Sequence, residues 1–70
     1  MEKRYTEIVV GDMIDYCSAT LKVVSNTIVE GVHNIKCEVV NKAGINSKWF
    51  NTDNTYTLKG SKLMQETILR

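Results

Sequence analysis

Between Val32 and Asn41 apolar and polar side chains take turns for most of the run, with Ile35, Cys37 and Val39 set against Asn34, Lys36, Glu38 and Val40. Successive side chains of an extended chain point to opposite faces, so this period of two predicts a strand with one buried and one wet face. In a chain of 70 residues such a strand needs partners close at hand. A domain of this size buries only about 60% of its extended surface, so nearly every large apolar residue is required for the core.

The remaining β-prone segments follow the same logic. Thr6–Val10 is read as a strand ended by a turn at Gly11 and Asp12, where glycine supplies a backbone angle that other residues resist. Met13–Cys17 comes next, with Ile14 and Tyr16 on the inner face and Met13, Asp15 and Cys17 on the other. From Thr20 to Glu30 the alternation changes phase between Val23 and Val24, which calls for a bulge or bend, placed at Ser25–Thr27, before Gly31 turns the hairpin. After Val32–Asn41, a loop over Lys42–Asn46 leads to Ser47–Asn51 around Trp49 and Phe50. Thr52–Asn54 makes a turn into Thr55–Lys59, where Tyr56 and Leu58 share a face, and Gly60 stops it. Residues 61–70 fit two patterns. Ser61 can cap a short helix with Leu63, Met64, Thr67 and Ile68 on one side, the reading preferred here, or Met64, Glu66 and Ile68 alternate as in a strand. Proline is absent and no window repeats, so residues 1–70 are read as one domain.

Short strands joined by tight turns predict a mainly β fold: a five-stranded antiparallel sheet curled into a partly closed barrel, with a short C-terminal helix or strand. The alternative is an open curved sheet with the terminal helix across one face. The run Ile8-Val9-Val10-Gly11-Asp12-Met13-Ile14, followed by the turn at Gly31 and Val32, resembles the start of SH3-like small barrels, including the KOW type. The glycine-rich loop of the KOW type has no counterpart at Ser18 and Ala19. This resemblance implies a binding module for proteins, peptides or nucleic acid rather than an enzyme. A small proline-free chain rich in Lys, Asn, Ile and Thr is also similar in composition to bacteriophage accessory proteins.

Catalytic chemistry finds little to stand on. His33 is the sole histidine. It shares a face with Ile35 and Cys37, but four residues of strand separate it from Cys37 by about 13 Å, too far for a dyad. Pairing of His33 with Cys17 across strands stays open. Asp12 and Asp15, three apart on a strand, point to opposite faces, and read as a turn cap and a solvated side chain. Cys17 and Cys37 read as reduced thiols, with one bridge as the alternative. The donor set is too small for zinc, and no cofactor is expected. No apolar run reaches the roughly 18 residues of a membrane span, and no apolar h-region follows Met1–Arg4. A cytoplasmic, non-membrane protein is expected.

Net charge is +1, but it is unevenly spread. Residues 1–35 carry Lys3, Arg4 and Lys22 against Glu2, Glu7, Asp12, Asp15 and Glu30, a balance of −2. Residues 36–62 carry Lys36, Lys42, Lys48, Lys59 and Lys62 against Glu38 and Asp53, a balance of +3. Lys42 and Lys48 flank the approach to Trp49 and Phe50. That grouping suits a protein hot spot, where tryptophan supplies a large rigid contact, and equally a single-stranded nucleic acid, whose bases stack on rings while lysines follow phosphates. Both rings also suit the core, although adjacent positions on a strand bury only one. The expected binding surface is therefore Trp49, Phe50, Lys48, Lys42, Lys36, Lys59 and Lys62. The expected function is a non-enzymatic protein-binding module, a phage-type accessory or inhibitor protein. A lysine-rich nucleic-acid-binding barrel is the alternative, and self-association through a sheet edge a further one.

Overall fold

The computed structural model describes residues 1–16, 19–41 and 54–69. It contains β1 (Glu2–Arg4), a 3-10 turn (Tyr5–Glu7), β2 (Met13–Tyr16), β3 (Ala19–Val29), β4 (Val32–Asn41), β5 (Thr55–Gly60) and β6 (Gln65–Leu69). Among the described residues these form one six-stranded sheet in the order β1-β6-β2-β3-β4-β5, every neighbouring pair antiparallel. The fold is all-β, as the alternation demands. Among the described residues the strands number six where five were expected, and the terminal strands β1 and β5 do not pair with each other to close the sheet.

β4 behaves as its pattern requires: His33, Ile35, Cys37 and Val39 are buried, while Lys36, Glu38 and Val40 are exposed. Ile14 and Leu58 are buried with them, and Tyr16 and Tyr56 pack against that core. The two tyrosines report the curl of the sheet. They sit on β2 and β5, with two strands between them, about 14 Å apart if the sheet were flat at roughly 4.8 Å per strand. Their ring centroids are nevertheless 5.4 Å apart, so the sheet bends sharply around its buried face.

The first expected strand is not one. Ile8, Val9 and Val10 are three apolar residues in succession and offer no alternation, so an extended ladder would expose half of them whichever way it faced. Instead Tyr5 and Ile8, three apart, are both buried across the 3-10 turn, while Val9 and Val10 stay exposed. The Glu7 carboxylate accepts the Arg4 N–H at 2.9 Å and holds the turn. Asp12 is the turn cap expected of it: its Oδ2 accepts the Val9 N–H at 3.0 Å and meets Lys3 Nζ at 2.9 Å.

The C-terminal helix preferred for residues 61–70 is not formed either. Residues 65–69 form β6, lying between β1 and β2, with Ile68 buried opposite Ile14. A helix there would leave β1 without a partner and one edge of β2 unpaired. Ser61 caps a turn instead, its Oγ accepting the Leu63 N–H at 3.3 Å.

The phase change in β3 is real and falls slightly before the place expected for it. Val23 faces Cys37 and Ser25 faces Lys36, so Val24 is the additional residue. A second shift between Thr20 and Leu21 leaves Val40 without an opposite number. The hairpin beyond turns through Glu30 and Gly31, at φ 51° and 79°, the two positive angles of a type I′ turn, whose twist matches that of the strands.

Candidate functional site

The bulge at Val24 decides what lies at the distal end of the sheet. Before it, odd-numbered β3 residues face the core; after it, even-numbered ones do, and the first of these is a polar residue, Asn26. Its carboxamide ties three segments together. Nδ2 donates to the carbonyls of Tyr5 and Ile8, both at 2.8 Å, and Oδ1 lies 2.9 Å from His33 Nδ1. Two carbonyl acceptors on one amide nitrogen settle which way the group points, so Oδ1 is the acceptor and His33 Nδ1 carries the hydrogen. In the neutral ring Nε2 is then a bare lone pair. It is buried and has no hydrogen-bond partner among the described residues.

The Tyr5 ring stands edge-on to His33, with centroids 6.4 Å apart and planes at 76°. Its hydroxyl donates to Glu66 Oε2 at 2.8 Å. Burial pushes the phenol well above its ordinary range, and the Glu66 carboxylate, by hydrogen bond and by charge, pushes the same way.

Over this polar cluster opens a depression of about 400 Å³, lined by Thr6, Ile8, Val9, Val10, Asn26, Ile28 and His33. Its rim is apolar and wet: Val9 is 56%, Val10 68% and Ile28 61% exposed. A second depression of similar size lies over Met1, Lys3, Asp12, Ile68 and Leu69. There the lysine and aspartate neutralise each other.

Of the seven residues expected to bind, the structure describes three. Lys36 and Lys59 lie on the solvent face of β4 and β5, where Lys36 faces Thr57 and Lys59 faces Asn34. They are thus diagonal neighbours, about 7 Å apart at the backbone. Lys62 is exposed in the turn after β5. Lys42, Lys48, Trp49 and Phe50 lie outside the described residues, as do the expected strand Ser47–Asn51 and Cys17.

Cys37 is a free, buried thiol. Burial, followed by the charge of Glu66, pushes it up to about 11. Among the described residues no group of three or more His, Cys, Asp or Glu is placed to hold a metal ion, and no helix is long and apolar enough to cross a membrane.

Sequence reasoning missed the cleft. Its signals were the unalternating Ile8-Val9-Val10 and a polar Asn26 arriving on the inward phase just after a bulge. No protein-family model, curated protein or solved structure matches this chain.

Proposed function

We propose that this chain is a non-enzymatic protein-binding module that docks a partner over the cleft between the Thr6–Val10 arm and Ile28. The observation that carries this reading is the exposure of three large aliphatic side chains, Val9, Val10 and Ile28, around one depression with a polar floor. Small domains seldom leave such residues grouped at the surface without use, because each is lost to a core that has few to spare. The module is not an enzyme in this reading: His33 spends one nitrogen on Asn26, its other nitrogen is buried, and the Cys37 thiol is held protonated inside the core. A phage-type accessory or inhibitor protein working in the cytoplasm would suit the small size and the free thiol. The strongly curled sheet and the Gly11-Asp12 turn lean towards the SH3-like class of barrels, which serve as binding modules.

The test compares immobilised wild-type chain with the double variant Val10→Asp, Ile28→Asp in lysate with and without nuclease treatment. Both positions are exposed, so folding should survive. Proteins held by the wild type and lost from the variant support the reading. Equal capture by both, or loss of all capture on nuclease treatment, overturns it.

A second reading is favoured by the diagonal placement of Lys36 and Lys59 on the solvent face, beside Lys22, where phosphates of a nucleic acid could lie. Glu38 interrupts that face directly opposite Lys22, which ranks this reading second. It requires affinity to fall with salt, at a logarithmic slope of about −0.7 per phosphate contact on single strands.

A further inference from the structure

The side of β3 away from β4 changes character along its length. β2 covers Ala19–Lys22. Gly11 and Asp12 then take over, with the Gly11 N–H donating to the Val23 carbonyl and the Val23 N–H to the Asp12 carbonyl, both at 2.9 Å. Beyond Val23 the arm leaves the plane of the sheet and crosses its inner face, tied there by Asn26. Ser25–Val29 therefore pair with β4 alone among the described residues. In an antiparallel strand alternate residues aim their N–H and C=O to each side, so this stretch presents an unmet backbone edge. The cleft opens on the inner side of that same edge, through Ile28.

We infer that the Ser25–Val29 edge of β3 accepts an extended peptide of a partner protein as an added strand, with an aliphatic residue set beside Ile28 and entering the cleft. This rests on the docking reading and gives it a mode. Cross-strand neighbours point to the same face, so the residue beside Ile28 meets Ile8, Val9 and Val10, while its own neighbours lie on the solvent face with Ser25 and Thr27. The partner segment thus alternates aliphatic and polar residues, the backbone supplying affinity and the cleft selectivity. Charge specifies its flanks. Glu30 lies two residues beyond Ile28 at the hairpin tip, and Glu7 between the lining residues Thr6 and Ile8; both are exposed. A segment with basic residues at its ends complements them, whereas a second copy of this chain would bring the same two carboxylates to the contact.

The probe is a synthetic seven-residue peptide alternating valine and threonine with a lysine at each end, added to the full chain and followed by amide hydrogen exchange and methyl NMR. Alternate amides within Ser25–Val29 are expected to exchange at least tenfold more slowly, the Val9, Val10 and Ile28 methyl signals to shift, and Ile28→Asp to abolish both. Exchanging the peptide's lysines for glutamates should weaken binding at low salt. Methyl shifts without amide protection overturn strand addition and leave docking at the cleft standing. Absence of both effects overturns the inference, and the docking reading is then judged separately by its lysate test. Concentration-dependent protection of the same amides in the chain alone overturns it in favour of a second copy.

Discussion

Asn26 Oδ1 and His33 Nδ1 lie 2.9 Å apart, which makes Asn26 the point at which the hairpin, the sheet and the N-terminal arm meet. The same carboxamide holds the Tyr5 and Ile8 carbonyls, so removing it strands three polar groups in a partly buried place. Asn26→Ala should cost about 2–4 kcal/mol of stability in urea unfolding, since each unmet buried group is worth about 1–3 kcal/mol. Asn26→Asp should do no better at neutral pH, because a carboxylate cannot donate to two carbonyls. A loss below about 0.5 kcal/mol would show that the arm is held by Tyr5 and Ile8 packing alone.

Alkali should unfold the protein through Tyr5 and Cys37. Both groups hold their protons more tightly folded than unfolded, Tyr5 through burial and Glu66, Cys37 through burial and the Glu66 charge. For a raised value the stabilisation is complete below the unfolded value and is lost as pH rises towards the folded one. Stability should therefore decline from about pH 9, where an unfolded thiol ionises, and more steeply above pH 10, where an unfolded phenol follows, by up to about 1.4 kcal/mol per pH unit for each group. Unfolding curves of Tyr5→Phe across pH 8–12 should show a shallower decline above pH 10 than the wild type. An identical decline would place the alkaline transition elsewhere.

The hairpin tip offers a stabilising change. Glu30 sits at φ 51°, a left-handed angle that a glutamate resists and asparagine tolerates, next to a glycine already suited to its place. Glu30→Asn should raise stability by about 0.5–1 kcal/mol, and Gly31→Ala should lower it by a similar or larger amount. Thermal melts of the two variants check the pair. Melting points moving the same way would contradict a type I′ turn. Because Glu30 also flanks the proposed peptide site, the first variant should bind a basic-ended peptide more weakly while folding better.

Gly60 is constrained by packing rather than by angle. A methyl group there would lie 2.9 Å from Tyr5 Cε2 and closer still to Met64 Sδ. Met64 is an exposed, flexible side chain that can swing away; the Tyr5 ring is 1% exposed and cannot. Gly60→Ala should cost about 1–3 kcal/mol, as overpacked core positions do. Combining it with Met64→Ala should recover only part of that loss. Full recovery in the double variant would mean that the methionine alone was the obstacle.

How much of this was legible beforehand depended on how far local pattern could carry. In β4 each side chain's face follows from its neighbours, so Ile35, Cys37, Val39 and even His33 were placed without coordinates. The hairpin at Gly31 was equally plain, since a positive backbone angle has few tenants. Residues 61–70 satisfied two periods at once, and only the gap between β1 and β2, a matter of chain segments distant in sequence, chose the strand. β1 escaped the reading for the same reason: it is three residues long and has no pattern to read, and it is a strand because β6 is beside it.

Local alternation determined an all-β chain with a particular inner face, because side-chain direction in a strand is fixed by backbone geometry from one residue to the next. Tertiary structure alone decided the cleft, because a bulge at Val24 turned Asn26 inward and hydrogen bonds to Tyr5 and Ile8 drew the arm across the sheet. Those contacts join residues 18 and 21 positions apart, and no repeat of period two or three carries information over that distance.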